Sequence, residues 1–520
     1  MKSANSIISK TSFFCSILLL SCQSPVNQKK LLTKDNLPNI VIIYMDDLGY
    51  GDTSCYGATA FETPNIDKLA DGGVRFTNGY STSATCTPSR YALLTGEYPW
   101  RNQNAKILPG TAPLLINAQQ NTIPKMLKDK GYHTGIVGKW HLGLGTGEVN
   151  WNQKVSPGPN ETGFDYSFIM AATQDRVPTV YLENGVVTGL NPDDPLIVNY
   201  EKNYDGKPTG RENPELCKML WHHGHNNSIH NGIPRIGFQK GGKSALWIDE
   251  NMADTFLEKA KHYIKANKDS AFFLLYTLNQ PHVPRIPHPR FVGSTTLGPR
   301  GDVIKEADWC IGELINTLEE EGIINNTLII FSSDNGPVLN DGYYDDAVEK
   351  SGNHFPGGIL RGGKYSLFEA GTRVPFITFW KGTIKPSVSD ALISQIDLFS
   401  SLAKLVGSEL RESDSQELLD VFLGNSRIGR EEMVLEATTR TALRKGEWIM
   451  IPPYKGPEVN KQVNIELGNY PEYQLYNLEN DIGQQINLAK SEPQKLKDMI
   501  QTFIKIRGDD FKLIEQLELH

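Results

Sequence analysis

Residues 39–44, Asn-Ile-Val-Ile-Ile-Tyr, form an unbroken apolar, β-branched run. A strand with one wet face alternates apolar and polar residues. A strand covered on both faces does not, so this run predicts a place inside a mostly parallel sheet. The pattern recurs along the chain. Residues 123–130 read as a helix and 134–137 as a strand; 252–266 as an amphipathic helix and 272–278 as a strand; 303–321 as a helix and 327–331 as a strand. This alternation predicts an α/β fold with a large, mostly parallel sheet flanked by helices. Residues 174–245 break it and are rich in Gly, Pro, Asn and His, which predicts a long excursion over the face that carries the site. Around 408–430 the chain turns polar and charged. Beyond it, 441–444 and 448–451 read as strands joined at Lys445-Gly446, and 493–506 as a helix. A length of 520 residues suits two domains, here a large α/β domain over 37–410 and a smaller α+β subdomain, antiparallel sheet plus helix, over 411–520.

Polar residues follow each predicted strand: Asp46-Asp47, then Lys139 and His141, then His282, then Asp334-Asn335-Gly336. In open α/β sheets, sites gather at the carboxyl ends of the strands. Two adjacent carboxylates leaving a buried strand repel unless a cation neutralises them. Asp46-Asp47 alone reads equally well as a solvated turn. With Asp334-Asn335 behind a second such strand, the metal reading prevails. All-oxygen ligands suit calcium (Ca2+) or magnesium (Mg2+).

The formal charge of −8 argues against nucleic-acid partners, which favour a basic surface. It does not draw in anions generally, so any anion pocket must be a local cluster of Lys, Arg and His. Of six cysteines, Cys15 and Cys22 lie near the N-terminus; Cys55, Cys86, Cys217 and Cys310 are widely spaced without a CxxC, which excludes a disulfide scaffold. A Cys55–Cys86 bridge remains open, but the surroundings of Cys86 make it the less expected fate. Lys2 and Lys10 precede a short apolar core at 13–20, too short to span a bilayer and of the kind that directs export. The string Leu19-Leu20-Ser21-Cys22 resembles a bacterial lipobox. It predicts a signal peptide over 1–21, lipidation of Cys22, a tether over 22–36, and an exported protein of the periplasm or cell surface, anchored to the outer membrane. An ordinary cleaved signal is the alternative.

The string Cys86-Thr87-Pro88-Ser89-Arg90, continued by Leu94-Thr95-Gly96, resembles the motif of the type I sulfatases of the alkaline phosphatase superfamily. In that family a maturation enzyme oxidises the cysteine to formylglycine (3-oxoalanine). Further matches follow in order: Asp46 and Asp47, Gly138-Lys139-Trp140-His141-Leu142-Gly143, Pro281-His282, Asp334-Asn335-Gly336, Arg361-Gly362-Gly363-Lys364, and Glu369-Ala370-Gly371-Thr372-Arg373-Val374-Pro375. Any one of these lysines or histidines is ordinarily a surface charge or a packed loop residue, and Cys86 alone is ordinarily a small buried hydrophobe. The ordered set overturns that reading.

The resemblance implies an alkaline-phosphatase-like fold and a sulfuric ester hydrolase. It implies Ca2+, with Mg2+ less expected, bound by Asp46, Asp47, Asp334, Asn335 and the matured residue 86. A serine nucleophile would end as a sulfate ester that water attacks slowly; an aldehyde hydrate carries a second hydroxyl whose deprotonation expels sulfate. Arg90 would orient residue 86, and Lys139 and Lys364 would bind sulfate oxygens. His141 would serve as the base that triggers sulfate release and His282 as the acid that protonates the leaving oxygen. A helix beginning near Ser89 would aim backbone N–H groups at the anion. Partners are then a formylglycine-generating or an anaerobic sulfatase-maturating enzyme and a sulfated glycan, desulfated in exo fashion at a galactose or N-acetylgalactosamine. Asp175 and Arg176 are candidates for gripping the sugar. His222 and His225, in a histidine-rich stretch that includes His230, are candidates for a polar wall of the cleft ahead of a second metal site. A broad arylsulfatase is the runner-up; a phosphodiesterase or phosphonate hydrolase on this scaffold and a non-catalytic glycan-binding lipoprotein are the rivals.

Overall fold

A computed structural model describes Met1 and residues 37–509; apart from Met1, the expected signal segment, Cys22 and the tether to 36 lie outside the described residues. The centre is a ten-stranded sheet. Asn39–Asp46 lies between Phe272–Pro281 and Thr327–Ser333, parallel to both, with Ile40 opposite Phe273 on one side and Leu328 on the other. His133–Lys139 and then Tyr166–Met170 extend the parallel core. Antiparallel pairings appear toward both margins: Phe376–Phe379 and then Val74–Phe76 on one side, where Ser387–Ser389 adds a parallel edge strand, and the hairpin Tyr181–Glu183 and Val186–Val187 on the other.

The apolar run at 39–44 is explained by its two neighbours. Ile40, Ile42 and Tyr44 enter one core, packed with the helices Cys86–Thr95, Ile123–Asp129 and Leu398–Leu405. Val41, Ile43 and Met45 enter the other, packed with Pro64–Gly72, Met252–Asn267 and Pro299–Glu320. Met252–Asn267 buries Met252, Phe256, Leu257, Ala260, Tyr263 and Ile264, the spacing of one helical face. Phe256→Ala would cost about 3–5 kcal/mol by opening a cavity there. Thr122 caps Ile123–Asp129, its hydroxyl oxygen accepting from the Lys125 N–H at 3.3 Å.

Two expectations shift. The helix placed near Ser89 begins at Cys86. Pro88 does not delay it, because first-turn N–H groups have no partner within the helix and a missing one is no loss. Residues 174–245 are also less separate than expected: Tyr181–Glu183 and Val186–Val187 join the main sheet, while Ile197–Asn199 pairs with Phe238–Lys240 and Ile229–His230 with Ile233–Pro234.

The C-terminal region forms a four-stranded antiparallel sheet, Glu432–Ala437, Arg440–Lys445, Trp448–Ile451 and Gln474–Asn477, with the helix Pro493–Arg507. Its core includes Tyr80, Ala84, Leu367, Phe368 and Ile396 from earlier in the chain. Among the described residues no helix is long and apolar enough to cross a membrane.

Candidate active site

Because the central strands run parallel, their last residues meet at one edge. Asp46 closes the first strand, where a register slip against Phe272–Pro281 turns the chain. Asp47 follows with φ of 64°, a conformation Asp tolerates better than most residues. Asp52 secures this turn: it accepts from Gly49 N–H at 2.7 Å, from Arg300 at 2.8 and 2.6 Å, and lies 2.9 Å from His354 Nε2. Gly138 precedes Lys139 with φ of 119°, and a Cβ there would sit 1.8 Å from the Thr277 carbonyl. Gly336 is as confined, its Cβ position 1.6 Å from the Ala370 carbonyl, so the two motif segments 334–336 and 369–375 touch.

Asp46, Asp47 and Asp334 are buried, and with Cys86 their ligand atoms lie within 4.8 Å of one another. Three cations meet them. Lys139 Nζ lies 2.7 Å from each Asp46 oxygen and 3.8 Å from Asp334 Oδ2. Arg90 donates to Asp334 Oδ2 through Nε at 2.9 Å, with Nη2 at 2.8 Å. Lys364 Nζ bridges Asp47 Oδ2 at 2.8 Å and Asp341 Oδ2 at 2.9 Å. Burial pushes the Asp46 carboxyl upward by more than the adjacent Lys139 pulls it down. Carboxylates packed this closely favour an added cation. Asn335 donates to Asp47 Oδ1 at 2.7 Å and to its neighbour's carbonyl at 2.9 Å, which leaves its own Oδ1 buried and without a partner. An orphaned oxygen beside three carboxylates is a donor set for a hard divalent ion, and the residues present fit one.

Cys86 opens its helix 2% exposed, Sγ 3.7 Å from Asp46 Oδ1. Burial pushes its thiol well up, so the unmodified side chain is a poor nucleophile. Cys55 and Cys86 are both free, and the bridge left open between them is not formed.

Both histidines border the cluster. His141, at φ of 54°, sets Nε2 2.9 Å from the Leu108 carbonyl, and its Nδ1 is buried without a partner. His282 turns Nδ1 to the Val283 carbonyl at 2.7 Å and Nε2 toward Asp47 Oδ2 at 3.8 Å. Burial, then the nearby lysines, hold both well below the ordinary histidine range.

Asp175 and Arg176 lie beside the pocket. Asp175 is buried, its Oδ2 2.9 Å from His225 Nε2 and its Oδ1 3.1 Å from Arg176 Nη1; burial aside, the Arg176 charge holds its carboxyl well below the usual range. His225 is therefore an inner wall residue, whereas His222 is half-buried and accepts from Gly342 N–H at 3.1 Å. The histidine-rich stretch gathers no three-ligand set among the described residues, and His230 turns away to Thr179 Oγ1 at 2.9 Å. Asp341 was not foreseen. An Asp before Gly342 reads as a loop, and only its contact with Lys364 brings it to the site.

Comparisons with known proteins identify the family. The Sulfatase family model matches residues 38–408. The chain is 51% identical over 487 residues to the N-acetylgalactosamine-6-O-sulfatase of Bacteroides thetaiotaomicron, covering 93% of this chain and 95% of that one. It is 32% identical over 402 residues to human arylsulfatase A, covering 76% and 70%. A solved 6S-sulf structure from Bacteroides thetaiotaomicron glycosaminoglycan metabolism superimposes with a TM-score of 0.89 at 50% identity, covering 91% and 99%. Buried carboxylates matched by lysines and an arginine, a cysteine at the head of a helix and a family match across most of the α/β sheet converge: this chain belongs to the sulfatase family and is a sulfuric ester hydrolase.

Proposed function

We propose that this sulfatase removes the 6-O-sulfate of N-acetylgalactosamine in a sulfated glycan, acting at chain ends. The observation that carries the reading is the 51% identity to an N-acetylgalactosamine-6-O-sulfatase across 93% of the chain. The 6S-sulf structure at a TM-score of 0.89 supports it. Cys86 is matured to formylglycine, and Asp46, Asp47, Asp334, Asn335 and residue 86 hold Ca2+. When bound, the ion supplies charge that polarises the sulfate and favours an ionised nucleophile.

The chain's own residues do the rest. Arg90, tied to Asp334, orients residue 86 from the same helix. Lys139 and Lys364 meet the sulfate oxygens as charge builds on them. His141 presents a bare Nδ1 that can take a proton during sulfate release, and His282 Nε2 faces the leaving oxygen. The Asp175–Arg176–His225 wall, with His222 farther out, contacts the sugar. An enzyme of the sulfatase-maturating class acts on Cys86 beforehand. The protein is exported and lipid-anchored at Cys22, as the string at 19–22 suggests.

The decisive assay compares 6-sulfated N-acetylgalactosamine, an aryl sulfate and a phosphodiester under matched conditions. Preference for the sulfated sugar is expected. Equal use of the aryl sulfate would favour the arylsulfatase reading, and preference for the phosphodiester would overturn the sulfate assignment. Mass spectrometry of the tryptic peptide 76–90 from the native host should show an aldehyde at residue 86; an intact thiol in fully active enzyme would end the formylglycine reading.

A further inference from the structure

Three residues other than glycine hold left-handed backbone within one small region. Tyr365, next to Lys364, has φ of 73°; Thr438 and Thr439 have φ of 49° and 75°. For bulky or β-branched residues this conformation is strained, and strain that persists gathers where the surroundings enforce it. The two threonines form the whole loop between Glu432–Ala437 and Arg440–Lys445, whose flanking residues Ala437 and Arg440 pair. Such a loop ordinarily carries Asn-Gly. The side chain between the strained sites is Arg440.

Arg440 is 1% exposed and makes no ion pair among the described residues. A buried guanidinium without a carboxylate is costly unless its donors are satisfied. Four of its donors are satisfied and Nε is left without a partner: Nη2 donates to the Tyr365 carbonyl at 2.9 Å and the Thr438 hydroxyl at 3.0 Å; Nη1 donates to the Leu467 carbonyl at 2.9 Å and to Asn469 Oδ1. From the other side, Tyr365 N–H donates to the Ala84 carbonyl at 2.9 Å, and Ala84 N–H to the Glu436 carbonyl at 2.8 Å. Lys364 N–H donates to the Pro337 carbonyl at 2.9 Å, in the segment that follows Asp334-Asn335. The C-terminal hairpin thus grips the strained turn beside Lys364 and, through Glu436, the segment two residues before Cys86.

We infer that Arg440 is a positioning residue for catalysis: it holds the Tyr365 peptide in its left-handed conformation and so aims Lys364 into the sulfate pocket. The C-terminal sheet then acts as a supporting clamp of the active site. This rests on Lys364 binding sulfate, as proposed above.

The test is a double-mutant cycle on mature enzyme, with kcat and KM for 6-sulfated N-acetylgalactosamine, inhibition by inorganic sulfate, bound divalent ion and circular dichroism as readouts. Arg440→Met should lower kcat/KM on the order of 100-fold and weaken sulfate inhibition, with ion content and dichroism retained. In a Lys364→Ala background the same change should cost less than about threefold, since both act on one contact. Arg440→Lys keeps the buried charge but has a single donor nitrogen, which cannot span the Tyr365 and Leu467 carbonyls. It should fold as the wild type does and retain most of the kinetic loss, which decides the matter if Arg440→Met does not fold. Wild-type kinetics in Arg440→Lys, or losses that add in full to Lys364→Ala, would overturn the proposal. Unchanged turnover and sulfate inhibition in Lys364→Ala alone would instead sink the role given to Lys364.

Discussion

The site's residues are costly to bury and stable only together. Lys139 lies against both oxygens of Asp46 and faces Asp334, so its removal strands Asp46 in a dry interior, while Asp334 keeps Arg90. Breaking a buried pair from one side costs about 3–5 kcal/mol. Lys139→Ala should therefore lose stability of that order in chelator, as urea midpoints would show, and regain part of it when divalent ion is added. Turnover should fall by about 10²–10³ through loss of a charge aimed at the developing anion. Stability recovered by the ion without recovered turnover would separate the two roles of this lysine; no ion dependence of stability would argue against a metal beside Asp46. Cys86→Ala disturbs little by comparison. It removes a small buried side chain with one long contact to Asp46 at 3.7 Å, so thermal melting should stay near wild type while sulfate release is abolished. Residual turnover in that variant would remove Cys86 from the chemistry.

At the level of elements, the C-terminal hairpin carries a pH-dependent contribution. Glu436 is buried, accepts from Thr439 N–H at 3.2 Å, and leaves its second oxygen unpartnered; burial raises its carboxyl to about 8. The native state thus keeps a proton that an unfolded glutamate has released above about 4.3. Stability is insensitive to this group below that value, falls as pH rises toward 8, and levels off beyond it. Glu436→Gln should flatten the decline between pH 5 and 8, by at most about 1.4 kcal/mol per pH unit, in denaturant melts across that range. A wild-type slope retained in the variant would show that Glu436 titrates normally. How much was legible in the sequence follows from similar local facts. Runs such as 39–44 and 272–278 announced themselves because strands buried on both faces are apolar throughout. Val74–Phe76 and Phe376–Phe379, with three and four residues, are too short to show a period, and their order in the sheet is set by distant partners. The motif loops could be read as one site because their residue types recur as a set and their strands end at one edge. Asp341 and Arg440 could not: an Asp before Gly and an Arg at a strand start look like surface, and only contacts with Lys364 and Tyr365, 23 and 75 residues away, disclose their place.

For the whole molecule, the question is how a chain of net charge −8 holds a pocket for an anion. Asp46, Asp47, Asp334 and Asp341 offer four negative charges within the cluster, and Arg90, Lys139 and Lys364 three positive ones. Without an ion the site is slightly negative and matches the rest of the surface. A divalent cation reverses its sign locally, which suits a sulfate ester and leaves the exterior acidic. The ligands come from strands far apart in sequence, Asp46 and Asp334 among them, so the unfolded chain cannot offer the same set and binding stabilises the native state. Chelator-treated protein should therefore melt below the calcium-loaded form. The melting temperature should continue to climb with calcium beyond the level that saturates the site, adding about 2.7 kcal/mol at a hundredfold excess over Kd. The gain should vanish in Asp334→Asn, which lowers the charge facing the ion and loosens Arg90. Equal calcium stabilisation in that variant would place the ion elsewhere and leave the pocket without the charge reversal that makes it hospitable to sulfate.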